Sequence, residues 1–164
     1  MTVQDDILQN YHHLLMLDDD DDKEKHWIWA RQPAARGLTT LHFHILSFLL
    51  AHPNCFAKDI SQQLGVLRGT LSKQLTQLKQ RRLLDCVVDT EDARYKHYVL
   101  TPTGETVART HNDLLQLKNH FFSQKLTIFD IGELRTIHRF LELFIEAEEA
   151  DQFSNERKEN QYHE

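Results

Sequence analysis

A mainly helical chain with one small β-hairpin, an α+β fold, is what this sequence predicts. Three observations predict it. Leucines and other apolar residues recur at three- and four-residue spacing through most of the chain, β-branched and aromatic residues cluster on either side of residues 89–94, and Gly65 and Pro102 stand where helices end and begin. At 164 residues with 40% hydrophobic content, the chain fits one ordinary domain, or a small domain with appended helices.

Taken in order, Ile7, Leu8, Tyr11, Leu14 and Leu15 recur at helical spacing, so the N-terminus reads as an amphipathic helix. Five consecutive aspartates follow at 18–22. They disfavour a helix C-terminus and suit the start of a second segment, where Asp19/Lys23 and Asp21/Lys25 pair at i,i+4. The run lacks the alternating ligands and turn glycine of a calcium loop and reads as a solvated acidic loop. Residues 32–37, QPAARG, break the pattern, and Thr39 caps a helix carrying Leu41, Ile45, Phe48 and Leu49. Asn54 or a neighbour starts a short helix with Ile60 and Leu64, closed by Gly65. Leu67, Leu71, Leu75 and Leu78 mark the inward face of the next, so the pair forms a helix-turn-helix.

From Leu84 the period changes. Cys86-Val87-Val88 and residues 95–99 are β-rich runs around a charged turn, which makes a hairpin. Thr101-Pro102 supplies an N-cap and a proline at the first helical position of a long helix with Val107, His111, Leu114, Leu115 and Phe122. A last helix, with Thr127 as cap and Asp130 in a box-like position, carries Leu134, Ile137, Leu141, Phe144 and Ile145. Beyond Ala147 the acid-rich, aromatic-poor tail is expected to be disordered. The expected divisions are 1–36, 37–101, 102–147 and 148–164.

Charge is unevenly distributed. The formal net charge is −6, residues 1–22 hold seven acids and no Lys or Arg, and residues 142–164 hold eight acids against two bases. Between Ser61 and Leu84 there is no Asp or Glu, while Arg68, Lys73, Lys79, Arg81 and Arg82 all fall there. This local distribution says more about partners than the total does. With the leucines inward, Gly69, Ser72, Lys73, Thr76 and Gln80 lie opposite, with Thr70 and Gln77 at the flank. A helix entering a DNA major groove needs such a surface: donors and acceptors for base edges, small residues for close approach, and no carboxylate facing phosphate. Cys55 and Cys86 are isolated, which argues against a disulfide framework or a Cys-based zinc site. The longest apolar run, residues 45–51, is far short of a membrane span, and residues 1–6 lack a leader's basic start. A soluble, cytoplasmic protein without a membrane partner is expected.

The order of helix, helix-turn-helix, charged hairpin and two long helices resembles the MarR family of winged-helix transcription regulators, in register from Leu38 to Leu141. The resemblance rests on LTTLHFHIL from Leu38, DISQQLGVLRGTLSKQLTQL from Asp59, DTEDAR from Asp89 and LTPTG from Leu100. It implies a winged helix-turn-helix flanked by N- and C-terminal dimerisation helices. It also implies a homodimer on palindromic double-stranded DNA, most simply a repressor relieved or modulated by a small effector. The residues expected at DNA are Arg68, Gly69, Thr70, Ser72, Lys73, Thr76 and Gln77, with Lys79, Arg81 and Arg82 positioning the protein on phosphate. Arg94 matches the wing-tip arginine that enters the minor groove, and Asp92 is placed to hold its guanidinium. Two positions depart from the family pattern. Leu67 stands where a polar N-cap is usual, and Arg82 where a glycine is usual.

The same resemblance raises two effectors. One is a small aromatic or amphipathic molecule in a crevice lined by Trp27, Trp29, Phe43 and His44, for which ordinary core packing is the plain alternative. The other is zinc, because zinc-responsive members of the family bind metal at positions matched here by His26, His44 and His111. A fourth ligand position is Leu115, and a second site would fall on Gln32, Phe43 and Thr110, which are poor ligands. His111 also lies on an apolar stripe, where an interface histidine is the alternative. No other cofactor is called for. A winged-helix module that binds protein instead of DNA is a further alternative, against which the acid-free helix face speaks. The chain is read as a non-enzyme, since it has no HExxH pair, glycine loop or nucleophile-base arrangement.

Overall fold

The computed structural model describes the backbone of residues 2–18, 22–88 and 96–150. Asp92, Arg94, most of the aspartate run and the tail from Asp151 lie outside the described residues. Among the described residues, seven helices and three strands follow in the order α1 (Val3–Asp18), α2 (Asp22–Arg31), a 3-10 turn (Pro33–Ala35), α3 (Thr40–Ala51), β1 (Cys55–Phe56), α4 (Ala57–Leu64), α5 (Arg68–Gln80), β2 (Leu84–Val88), β3 (Lys96–Leu100), α6 (Pro102–Leu126) and α7 (Ile131–Glu149). The chain divides into two compact units, Met1–Leu117 and Lys118–Glu164. No helix among the described residues is long and apolar enough to cross a membrane.

The first unit is built around one apolar cluster. Ile28 from α2, Phe43, Ile45, Leu46 and Leu49 from α3, Ile60 from α4, Leu71, Leu75 and Leu78 from α5, Leu83 and Leu84, and Val107 and Ala108 from α6 are all buried in it. Each such side chain contributes ~1.5–3 kcal/mol relative to exposure. The spacing of Leu71, Leu75 and Leu78 therefore fixes which face of α5 turns outward. Leu67 is a correction to the expected inward row. It precedes the helix as N-cap and is 80% exposed.

The helix-turn-helix is closed by local chemistry. Gly65, at φ 62°, takes the left-handed conformation that ends α4, with Val66 N–H donating to Ser61 O at 3.1 Å and Gly65 N–H to Gln62 O at 3.4 Å. The Ser61 hydroxyl donates back to Val66 O at 2.6 Å, which ties the turn a second time. Before α4, Asn54 at φ 64° turns the chain into β1, an element the sequence did not announce. β1 adds to the expected hairpin as an edge strand, giving the antiparallel order β1-β3-β2 with Cys55, Tyr98 and Cys86 in one row.

The second unit holds the end of α6 and α7. Asp130 caps α7, with its Oδ1 accepting from Gly132 N–H at 2.7 Å and Glu133 N–H at 2.9 Å, while Glu133 accepts from Asp130 N–H at 2.8 Å. Thr127, the expected cap, instead donates its hydroxyl to Gln124 O. None of this unit's described residues is buried, and Phe121, Phe122, Leu126, Ile128, Ile131 and Leu143 stand exposed.

Candidate nucleic-acid interface

The outward face of α5 follows from the burial of its leucines. Arg68, Gly69, Thr70, Ser72, Lys73, Thr76 and Gln77 are all exposed, so the structure brings the expected contact residues together on one surface. The Thr76 hydroxyl is engaged by its own helix, donating to Ser72 O at 2.8 Å. At the start of α5 no side chain accepts from the first amides, because Leu67 has no polar atom. Arg68 and Ser72 also border a 340 Å³ cleft against α4 and β3, where Lys58 joins them. Lys58 was missed by the sequence reading, since it precedes the acid-free stretch and sits beside Asp59. That carboxylate is occupied in holding Phe56 N–H at 3.1 Å at the start of α4.

The end of α5 resolves the second departure from the family pattern. Arg82 adopts φ 56°, the conformation glycine takes most easily. Leu83 N–H reaches Leu78 O at 3.0 Å and Arg82 N–H reaches Lys79 O at 2.9 Å, the same paired closure seen at Gly65. Holding a non-glycine there costs ~1 kcal/mol, offset locally by burial of Leu83 against Leu78. The Thr101 hydroxyl donates to Arg82 O at 2.8 Å and also accepts from Gly104 N–H at 3.1 Å, so one side chain closes α5 and opens α6. Gly104 is required at that junction because a Cβ there would overlap the Leu83 carbonyl oxygen.

Arg81, expected to position the protein on phosphate, is exposed. Its guanidinium donates to Ala34 O at 3.2 Å and to Arg36 O, fastening the end of α5 to the turn after α2. A second tie runs from α3. His42 accepts from Thr39 N–H at 3.0 Å through Nδ1, and its Nε2 lies 3.1 Å from Gln77 Oε1. Burial lowers the His42 pKa, with the Arg81 charge acting in the same direction and the Gln77 hydrogen bond against it. Neither tie was expected from sequence.

Of the candidate effector residues, Trp27 and Trp29 pack against the same core cluster that holds Phe43. Phe43 is buried in the core and stacks on His111 with ring centroids 5.4 Å apart. Trp27 lies under the Arg31 guanidinium, 3.6 Å from its ring centroid. Trp29 lines a 430 Å³ cavity with His26, Ala30 and Arg36. Of the three candidate metal ligands, His44 and His111 adjoin with centroids 5.6 Å apart, and Ser47 Oγ fixes His111 Nδ1 at 2.8 Å. His26 instead packs edge-on against Trp29. Among the described residues no three His, Cys, Asp or Glu side chains form a metal-binding group.

Residues 36–94, which hold the helix-turn-helix and most of the hairpin, match the MarR family. A similar protein, transcriptional regulator AdcR of Streptococcus pneumoniae serotype 2, is 28% identical over 104 residues, 63% of this chain and 70% of its own length. The crystal structure of adhesin competence repressor AdcR from Streptococcus pyogenes has a TM-score of 0.71 at 22% identity, covering 90% of this chain and 98% of that one. Lactococcus lactis ZitR, described as a zinc-responsive MarR family member, has a TM-score of 0.60 at 25% identity over 67% of this chain and 76% of its own. The chain has the expected winged-helix fold, with β2 and β3 as the strands of the wing.

Proposed function

We propose that the protein is a homodimeric repressor that binds a palindromic double-stranded DNA operator through α5 and the wing, and that a small effector modulates it. The observation that carries this reading is the exposed, acid-free face from Arg68 to Gln77. Its backbone start is uncapped, and its polar side chains are of the kinds that meet base edges and phosphates. The exposed apolar residues of α1, such as Val3, Leu14 and Met16, and those of α6 and α7 support a dimer, since a second copy would remove them from water. A twofold pair would set two copies of α5 about one DNA turn apart. Titration of a palindromic duplex tests the reading. Arg68→Ala combined with Lys73→Ala is expected to weaken binding at least ~tenfold and to shallow the salt dependence by about one unit of slope per lost phosphate contact. Affinity independent of salt would sink it.

The cavity at His26, Trp29 and Arg36 favours an effector that acts on α5 at short range. Arg36 lines the cavity while its carbonyl holds Arg81, so a molecule that displaces the turn disturbs the end of α5. Zinc is a second reading, favoured by the His44–His111 pair and by the zinc-responsive relative. Two imidazoles, one oriented by Ser47, suit part of a tetrahedral set, but the described residues do not complete it. Metal analysis of the purified protein, with DNA affinity measured with and without zinc, separates these effectors.

A further inference from the structure

The hydrogen bond between His42 and Gln77 has a polarity that can be derived. A backbone N–H only donates, so His42 Nδ1, 3.0 Å from Thr39 N–H, is an acceptor. Burial keeps the ring neutral near pH 7, and its single proton is then on Nε2. That N–H points at the Gln77 side-chain oxygen 3.1 Å away and donates to it. The orientation of the Gln77 amide is thereby set by an unambiguous backbone donor two bonds up the chain of contacts. One lone pair of its oxygen is used, which turns that end toward α3, and its NH2 is the opposite end of an exposed residue of α5.

We propose that His42 is a positioning residue that turns the Gln77 amide so that its NH2 is presented as donor to a lone-pair acceptor on duplex DNA. The inference rests on α5 being the DNA-contacting helix. A glutamine that pairs with adenine through both amide ends turns its oxygen toward the base, so that mode competes here with the His42 hydrogen bond for the direction of the amide. The acceptors that suit the NH2 end are a phosphate oxygen, a purine N7, guanine O6 or thymine O4, none of which draws on the Gln77 oxygen.

The test begins with a duplex enriched by the wild-type protein from a randomised pool, then used as probe in fluorescence titrations. Gln77 is exposed, so Gln77→Met and Gln77→Glu leave the core intact. Gln77→Met is expected to bind about three- to tenfold more weakly, the effect of one neutral hydrogen bond. Gln77→Glu, which still accepts from His42 but cannot donate, loses more. His42→Ala lowers affinity in the wild-type background and has no further effect beside Gln77→Met, whereas a merely structural role would weaken both equally. A methylphosphonate linkage that erases the difference between wild type and Gln77→Met places the acceptor on the backbone, and a 7-deazapurine that does so places it on a base edge. Wild-type affinity for Gln77→Met overturns the proposal and leaves the DNA reading standing. Equal losses from His42→Ala in both backgrounds overturn the positioning role. Failure to enrich any duplex overturns both readings.

Discussion

Helices α3 and α5 are packed into one core, yet they begin in opposite ways. α3 opens on Thr39, whose hydroxyl accepts from His42 N–H while His42 Nδ1 accepts from Thr39 N–H, a closed reciprocal cap. α6 opens similarly, with Thr101 accepting from Gly104 N–H. α5 opens on Leu67, which offers no acceptor and leaves its side chain in water. α3 and α6 each satisfy a first-turn amide with the hydroxyl of their cap residue, and α5 does not. Its N-cap supplies no acceptor to the first amides, and a helix start of this kind accommodates an anion such as phosphate readily.

The comparison can be broken at its well-made side first. Gly104→Ala should lower the unfolding free energy by ~3 kcal/mol or more, because the methyl group must displace the Leu83 backbone and not a flexible side chain. Thermal or urea unfolding reads the loss, and a melt close to wild type would show that the start of α6 has room to shift. On the open side, Leu67→Ser supplies the absent cap and should raise stability by ~1 kcal/mol. An unchanged melting temperature would mean that the first amides of α5 already have partners.

The smallest effect concerns pH. Because folding lowers the His42 pKa, the unfolded chain takes up the proton first as pH falls, so its contribution to stability is full above the ordinary imidazole value of about 6.5 and declines below it. His42→Gln keeps a capping-box side chain without a titrating group, and should flatten that part of the stability-pH curve relative to wild type. Superimposed curves would show that the α3 cap tolerates protonation.

Much of this contrast was legible in sequence because it is local. Gly65 at the end of α4, Thr101-Pro102 at the start of α6, and the Leu71, Leu75, Leu78 row each declare themselves within a few residues, and the structure has all three. The outward face of α5 follows from that row alone. What escaped was either too short or too distant to leave a pattern. β1 is two residues long and has no period. Leu67 continues the leucine spacing but stands before the first helical residue, where spacing no longer decides direction. The ties from His42 to Gln77 and from Arg81 to Arg36 join residues 35 and 45 positions apart, and only the packed fold brings them together.

Thr101 has a mechanical meaning as well as a structural one. By holding Arg82 O with the same oxygen that caps α6, and with Thr101 N–H on Leu83 O at 3.2 Å, it gears the end of one helix to the start of another. The glycine beneath leaves no slack in the joint. Under the proposed function, a rotation of α6 carried through this joint would turn α5 with it, and a pair of such helices measuring a fixed spacing on DNA would register the change as a misfit.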